Sequence, residues 1–414
     1  MFRSLRYRNF RLFFSGQSIS LIGTWMQKTA VSWLIYRITG SALLLGITGF
    51  ASLIPSLILS PFAGSFIERH NRYKILVWTQ IISMLQAGAL AAMIMLKWYY
   101  VPGIIILTLI QGIINAFDVT CRQSLMMEMV EHKDDLPNAI ALNATMTNFA
   151  RITGPAVAGI VLSTLGEDVC FFSNFLSYIP VLISLFMMRL RLAPVMRSDK
   201  SIWFGLKEGF SYVSGNADLG SVLLMLAVSS LFVMPFNTLI PMFAKDIFNG
   251  NAETFSWFES AAGIGAIISA IYLANLKTAN GMIRIMIMAS LIFGVSVLFL
   301  AYTGWLPMAL AFMTIAGIGM MALSSSVNTY IQTHAAPEMR SRAISYYIMA
   351  YQGMIPLGSL LVGLIAHKLG PQMTVAIEGV LGLVATVLFF FYRKRISFRS
   401  QVSGHLFLAK GNAA

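Results

Sequence analysis

The feature that most constrains this chain is a series of long apolar segments separated by short polar ones. Each segment has roughly 20 or more residues, the length at which an α-helix crosses the hydrocarbon core of a bilayer. Because 57% of the residues are hydrophobic and only 11% are charged, a soluble globular protein is excluded. We therefore predict an all-α membrane protein with twelve transmembrane helices in two six-helix halves. The predicted spans are Leu12–Tyr36, Ser41–Ile67, Tyr73–Leu96, Val101–Cys121, Pro137–Leu165, Cys170–Met188, Leu219–Ala244, Phe255–Leu276, Met282–Tyr302, Trp305–Tyr330, Ala343–His367 and Met373–Tyr392.

A polar stretch between the sixth and seventh spans divides the chain. The predicted parts are an N-terminal half (1–190), a cytoplasmic linker (191–216), a C-terminal half (217–395) and a cytoplasmic tail (396–414), which is polar after Arg399 and which we expect to be disordered there. In the linker, Ile202, Leu206 and Phe210 recur at helical spacing, which predicts a helix on the membrane surface. The basic N-terminus precedes a long apolar run without a small-residue cleavage site, which predicts a retained first span rather than a signal peptide.

The basic residues are distributed unequally between the two sides of the predicted spans. If both termini share one side, 23 of the 29 lysines and arginines fall there. Four lie on the opposite side (Arg37, Lys97, Lys245, Lys368), and two lie inside spans (Lys28, Arg151). The positive-inside rule then places both termini in the cytoplasm. This rule accounts for the net charge of +13 without a nucleic-acid partner.

The fifth and eleventh spans carry a weak internal repeat. Ala139-Ile140, Gly154 and Gly159 recur 204 residues later as Ala343-Ile344, Gly358 and Gly363, and a proline stands beside the first glycine in each half (Pro155, Pro356). Parallel repeats of six spans are typical of one large class of transporters, whose substrate site lies near the membrane midplane. These six glycines and prolines are candidate helix-packing positions, and packing and a contribution to gating both remain open for them.

Two stretches of sequence resemble a known family. The loop Gly64-Ser-Phe-Ile-Glu68-Arg69-His70-Asn71-Arg72-Tyr73-Lys74 is similar to the motif G-x-x-x-D-R-x-G-R-R of the major facilitator superfamily, with Glu68 as the acid and Asn71 in place of the second glycine. Further matches are Cys121-Arg122-Gln123, the run from Leu136 to Asn143, Asn148, Arg151, Gly154-Pro155, Gly159, Gly166-Glu167 and Cys170-Phe171, with Ser41, Gln332, Arg340, Arg342, Pro356, Gly358 and Gly363 extending the likeness to both halves. The chain thus resembles the third drug–proton antiporter branch, which includes the enterobactin exporter and macrolide efflux proteins. The resemblance implies the major facilitator fold and export by exchange with protons.

Charged groups near the cytoplasmic ends are candidates for a gate. The resemblance implies that the loop after the second span helps to hold the cytoplasmic side closed. Asp118 and Arg122 lie four residues apart on one helix face and can pair there. The resemblance also implies that the fifth span faces the eighth across the two halves. The Arg151 side chain could then reach Glu259, and we predict a contact between them that forms or breaks during transport. The full latch set is Gly64, Glu68, Arg69, Arg72, Asp118, Arg122, Arg151 and Glu259. For the loop, signalling of membrane topology alone is the alternative.

Proton coupling requires an acid whose protonation can change at working pH. Carboxylates inside a span are costly, so they are functional candidates by default. We select Asp118, Glu259 and Glu378. The alternative for each is a permanently paired structural charge. The five histidines fall at span ends or outside, which argues against a histidine relay.

A substrate cavity requires polar and aromatic groups near the midplane. The resemblance implies that the first, fourth, seventh and tenth spans line it. Our candidates are Gln17, Trp25, Gln27, Lys28, Asn115, Asn148, Asn237, Asn328, Tyr330, Tyr347, Tyr351 and Gln352. Hydrogen bonds between helices explain each amide or hydroxyl equally well. Lys28 differs, because an unpaired ammonium in a cavity favours an anionic substrate.

These observations predict a secondary active transporter that exports a small amphipathic molecule, siderophore or drug-like, across the inner membrane by alternating access and proton antiport. The expected partners are the substrate, protons and the lipid bilayer, and we expect a monomer. The alternatives are a lysophospholipid or lipid flippase and a siderophore importer. An integral-membrane enzyme is disfavoured, because the sequence has no metal-ligand spacing, nucleophile motif or phosphate-binding loop. We predict no cofactor and no metal, and Cys121 and Cys170 indicate no disulfide framework.

Overall fold

The computed structural model describes residues 3–130, 132–190, 202–276 and 281–411, and within these ranges the regular structure is helical. The helices are α1 (Arg8–Thr39), α2 (Ala42–Glu68), α3 (Arg72–Met95), α4 (Val101–Met129), α5 (Leu136–Thr164), α6 (Glu167–Met187), α7 (Ile202–Gly215), α8 (Ala217–Phe232), α9 (Ile240–Met242), α10 (Ala252–Ala274), α11 (Met282–Tyr302), α12 (Leu306–His334), α13 (Arg340–Ile348), α14 (Met354–Leu369) and α15 (Pro371–Gly411). Helices α1 to α6 form the N-terminal half, and α8 to α15 form the C-terminal half. We call the end of the bundle where α1 and α8 begin the terminal end, and the opposite end, where α2 begins, the distal end.

Several helices begin at a residue whose side chain satisfies a free backbone N–H. Ser41 accepts a hydrogen bond from the N–H of the third residue of α2, Asn71 caps α3, and Asn216 caps α8. Asn251 and Thr254 form a reciprocal capping box at the start of α10. These caps fix where each helix begins although the apolar runs themselves have no sharp boundaries.

The two halves meet along two pairs of helices, α5 with α10 and α2 with α14. The glycines of the internal repeat lie at equivalent positions in these contacts. Gly154 and Gly358 each approach a helix of their own half, α1 and α8, whereas Gly159 and Gly363 each approach the other half, at α10 and α2. The repeat seen in the sequence therefore corresponds to a repeat in packing.

Two of the predicted spans are interrupted. The seventh is helical only to Phe232 and continues as a 3₁₀ turn (Met234–Leu239), the short α9 and a π-helical turn (Phe243–Ile247). The eleventh contains a π-helical turn (Met349–Gly353) between α13 and α14. Each region is nevertheless a single candidate membrane span, Ala217–Ile247 and Arg342–Leu369. Pro235, Pro241 and Pro356 lie in or beside the interruptions, and a proline removes one backbone hydrogen bond of the helix.

Ten of the described helical segments are long and apolar enough to cross a membrane, as the fold class predicts. Helices α1 and α5 are not among them, although they have 32 and 29 residues. Polar and charged residues such as Gln27 and Lys28 in α1 and Asn148 and Arg151 in α5 lower their mean hydropathy. The bundle is thus an all-α membrane fold, and the count of twelve spans stays a prediction.

Helix α7 of the linker is attached to the C-terminal half. Glu208 pairs with Arg342 of α13, and the Tyr212 hydroxyl accepts a hydrogen bond from the backbone N–H of Ala336 at 2.9 Å. Linker residues 191–201 lie outside the described ranges. At the other end of the half, α15 is assigned to Gly411, and the disorder expected after Arg399 stays a prediction.

Candidate substrate and coupling site

Three ionisable side chains lie together where the two halves meet. Lys28 belongs to α1, Arg151 to α5 and Glu259 to α10. Glu259 interacts electrostatically with both cations, and Lys28 interacts with both of the other groups. No direct ion pair joins Glu259 to either cation among the ion pairs of the described residues. The predicted contact between Arg151 and Glu259 is therefore a long-range interaction in this conformation rather than a salt bridge.

Contacts between α1 and α5 show at which height along the bundle axis Lys28 lies. A Cβ atom on Gly154 would lie only 2.4 Å from the Trp25 Cβ, so the two helices touch at this height. Lys28 is about one helical turn beyond Trp25 toward the distal end, and Arg151 is about one turn before Gly154 toward the terminal end. The two cations thus lie on either side of the closest approach of α1 and α5.

Contacts between α5 and α10 place Glu259 at the height of Lys28. A Cβ atom on Gly159 would lie 2.4 Å from the Ser256 Cβ, and one on Gly263 would lie 2.6 Å from a side-chain carbon of Ile152. Ser256, Glu259 and Gly263 follow one another at helical spacings of three and four residues, so Glu259 lies on the face of α10 that packs against α5. The carboxyl of one half therefore faces the two cations of the other.

Lys28 is exposed to solvent although it lies well inside the bundle. Its Nζ lies 4.8 Å from the centroid of the Trp25 ring, the geometry of a cation–π contact. Arg151 and Glu259 are half-buried. This combination indicates a water-accessible cavity between the halves with Lys28 on its wall.

The distal end of this region is closed by contacts between the halves. Trp33 of α1 stacks on Phe255 of α10 with ring centroids 6.3 Å apart. The Tyr36 hydroxyl donates a hydrogen bond to Asp246, and Lys245 lies 5.4 Å from the centroid of the Tyr36 ring. These side chains lie between Lys28 and the distal surface.

The predicted pair between Asp118 and Arg122 is present. Arg122 Nη2 lies 2.8 Å from Asp118 Oδ2, and both side chains are about nine-tenths buried. Gln80 donates to the same carboxylate at 2.6 Å, and Thr79 donates to it at 3.2 Å. Three donors therefore satisfy Asp118, which suits a permanent structural charge better than a proton carrier.

The other predicted latch residues lie nearby at the terminal end. Arg72 pairs with Glu128 of α4 at 3.3 Å, which ties α3 to α4. Arg69 is exposed, and Gly64 has open space beside its Cα. The Glu68 side chain lies outside the described part of the structure. The ion pairs named here thus join helices of the N-terminal half.

Glu378 of α15 is remote from this cluster and has a different environment. Its side chain is 3% exposed, and neither carboxyl oxygen has a hydrogen-bond partner among the described residues. An ionised carboxylate buried without partners is very costly, whereas the neutral acid is tolerated more easily. Glu378 therefore has a chemical environment suited to a neutral acid.

Several predicted cavity residues are held inside one half. Gln27 is buried between Gln86 and Asn174, with hydrogen bonds of 3.3 and 2.6 Å. Gln17 is also buried, at 3% exposure. Tyr330 is 6% exposed and stacks on His334. These positions serve packing within a half in this conformation.

The remaining cavity candidates are more accessible. Asn148, Gln352 and Asn328 are exposed or half-buried, and Asn328 accepts a hydrogen bond from Gln332 at 3.0 Å. Tyr347 and Tyr351 stack on each other with centroids 6.0 Å apart. Asn115 and Asn237 are half-buried, and the Asn237 side-chain oxygen has no partner among the described residues. Their role in a substrate cavity stays a prediction.

Sequence reasoning missed Gln80, Glu128, Trp33 and Asp246, all of which make the contacts described above. Gln80 and Trp33 carry no distinctive sequence signal in apolar helices. Asp246 follows Lys245 beyond an apolar run, which resembles an ordinary loop. Only Glu128, an acid about two helical turns beyond a predicted span, carried a signal that charge spacing could have used.

Comparison with known proteins agrees with this architecture. Residues 1–404 match a family described as transmembrane secretion effector. The chain is 24% identical over 401 residues to the staphyloferrin A transporter of Staphylococcus aureus (strain NCTC 8325 / PS 47), covering 95% of this chain and 99% of that protein. It is 25% identical over 389 residues to macrolide efflux protein A of Streptococcus pyogenes, covering 91% and 95%.

The fold is also similar to a solved one. The crystal structure of the nucleoside transporter NupG has a TM-score of 0.71 at 15% identity and covers 93% of this chain and 99% of that chain. The family and these relatives are transporters rather than enzymes. Because the family match extends over nearly the whole chain, the protein belongs to the transmembrane secretion effector family and is a multi-pass membrane transporter of the major facilitator superfamily.

Proposed function

We propose that this transporter exports a small amphipathic molecule, either a siderophore or a drug-like compound, across the inner membrane. Its relatives include one protein named for staphyloferrin A and one named for macrolide efflux, which together favour solutes of this kind. We also propose that both termini are cytoplasmic, because 23 of the 29 basic residues would then lie on the cytoplasmic side.

Transport proceeds in this proposal by alternating access. The observation that carries it is the one-sided closure of the bundle. The contacts between the halves extend from the middle of the helices to the distal end. Ile152 packs against Gly263 in the middle, and Tyr36 bonds Asp246 at the distal end. Lys28 is nevertheless exposed to solvent. With cytoplasmic termini, this conformation is open inward, and rocking of the halves about α5–α10 and α2–α14 would open the distal side.

Protons drive export in this proposal, and Glu259 is the coupling acid. It is the carboxyl that faces two cations across the boundary between the halves, so movement of the halves changes its electrostatic surroundings. Lys28 and Arg151 are the charged groups that face it. Asp118 is satisfied by donors within its own half, so we assign it a structural role rather than coupling. Glu378 is the second candidate for coupling.

The experiment uses purified protein in liposomes that contain a pH-sensitive dye, with an imposed proton gradient. Siderophores, macrolides, lipophilic cations and lysolipids are added in turn. We expect at least one solute to cause proton movement, and Glu259→Gln to abolish it while solute binding persists. Glu338→Gln is the matched control, because Glu338 is an exposed carboxyl in the loop before α13.

Three outcomes would contradict the proposal. Solute movement without protons would replace antiport with uniport or lipid flipping. Normal coupling in Glu259→Gln together with loss in Glu378→Gln would move the coupling acid to α15. Uncoupling by the control variant would show that the assay responds to surface charge rather than to the site.

A further inference from the structure

The charges inside the bundle do not balance, and the excess is positive. Asp118 is neutralised by Arg122, and Glu378 lies apart from other charged groups. The remaining group, which we call the cavity triad, consists of Lys28, Arg151 and Glu259. Two cations and one acid give the triad a formal charge of +1. A charged side chain within a membrane span is costly, and a counter-charge lowers that cost.

Lys28 is the member of the cavity triad whose charge is available to a ligand. It makes no ion pair among those of the described residues, and its ammonium has only the face of Trp25 as a close partner. It is also solvent-exposed, so a solute in the cavity can reach it. A cation–π contact leaves the N–H donors of an ammonium free for hydrogen bonds to an anion.

The position of Glu259 indicates the charge of the anion. This carboxyl already lies at the height of Lys28, within the field of both cations, yet forms a direct ion pair with neither. The region thus accommodates one carboxylate as a neighbour, and a second can bind on the open side of Lys28. A ligand with one negative charge brings the total formal charge of the triad and the ligand to zero.

We propose that the transported solute carries a carboxylate that binds Lys28, with Arg151 adding long-range attraction and the Trp25 ring contacting the apolar part beside it. This inference rests on the proposed function and specifies the substrate class. The site distinguishes solutes by charge: a monoanion binds best, its neutral ester less well, and a cation of the same shape worst. Glu259 prevents the site from holding a second anion.

The test compares three fluorescent probes that differ mainly in charge: dansylglycine, its methyl ester and dansyl-ethylenediamine. Binding to the purified full-length protein is measured by dansyl fluorescence. We expect dansylglycine to bind at least about tenfold more tightly than its ester, as for a partly desolvated charge pair. Lys28→Gln should remove this preference, and Lys28→Arg should retain most of it.

Lys368→Gln is the matched control, because it removes the same charge from an exposed position at the end of α14. It should bind all probes as the unmodified protein does. Size-exclusion elution of each variant checks folding. Equal binding of the three probes, absence of binding, or an unchanged preference in Lys28→Gln would overturn the inference. Proton movement with the solute panel is a separate readout, so antiport of a neutral or cationic drug would refute the substrate class while leaving the proposed function intact.

A carboxylate can come from a soluble compound or from a fatty acid of the membrane. Competition against dansylglycine by hexanoate and by palmitate in the bilayer separates these sources. Displacement by either one supports binding through the carboxylate, and the stronger competitor identifies the source. Failure of both to displace the probe would contradict binding through its carboxylate.

Discussion

The close approach of α2 and α14 at Gly363 provides a direct way to shift the balance between conformations. A Cβ atom added there would lie 2.8 Å from the carbonyl oxygen of Ala42, 2.8 Å from the Cα of Gly46 and 3.1 Å from its backbone nitrogen. All three are backbone atoms of the opposite half. They belong to the start of α2, so a side-chain rotation cannot relieve the contact.

The size of the effect follows from these distances. Ordinary contact begins at 3.4 Å, so the two closest atoms must move by 0.6 Å. Overpacking of this kind costs about 1–3 kcal/mol. Since the backbone of α2 moves as a unit, the cost falls on the conformation in which the distal ends of the halves touch. Gly363→Ala should therefore shift the equilibrium toward distal opening by about 5- to 150-fold.

Double electron–electron resonance between spin labels at the distal end measures this shift. Leu165 and Trp305 are exposed positions in distal loops of different halves, and each can carry a label after substitution by cysteine. The native cysteines are fully buried. Gly304→Ala is the control, because a Cβ there meets nothing within 4 Å. If the Gly363→Ala distances match those of the control, the reasoning from backbone contact is refuted.

Two further predictions concern charges inside the bundle. Arg122→Met leaves the Asp118 carboxylate buried with only neutral donors and should lower the free energy of unfolding by about 3–5 kcal/mol. Arg37→Met, which breaks a more exposed ion pair, should lower it by no more than about 1 kcal/mol. Equal losses of thermal stability in detergent would contradict the difference in burial. Glu378→Met removes two buried oxygens without partners among the described residues and should raise the free energy of unfolding by about 1–3 kcal/mol. A fall in the melting temperature would show that the carboxyl has a stabilising partner.

Some contacts of the candidate site could be predicted from the sequence, and others could not. The pairing of Asp118 with Arg122 was predictable, because both lie on one helix and the period of the helix sets their separation. The hydrogen bonds from Gln80 and Thr79 to the same carboxylate could not be predicted, because they depend on how α3 packs against α4. Gln27 illustrates the opposite error: a glutamine in an apolar span suggests a cavity, but its amide bonds Gln86 and Asn174 within its own half.

The sequence by itself determined the fold class, the two halves and the internal repeat. These follow from local properties, namely the length of apolar runs, the distribution of charge and the positions of glycines. It also identified Lys28, Arg151 and Glu259 as charges inside spans. The tertiary structure decided that Lys28 lies beside the other two and that Glu259 forms no direct ion pair with either cation, because both depend on the register of α1, α5 and α10. It likewise decided which end is closed, since closure results from contacts between residues far apart in the chain.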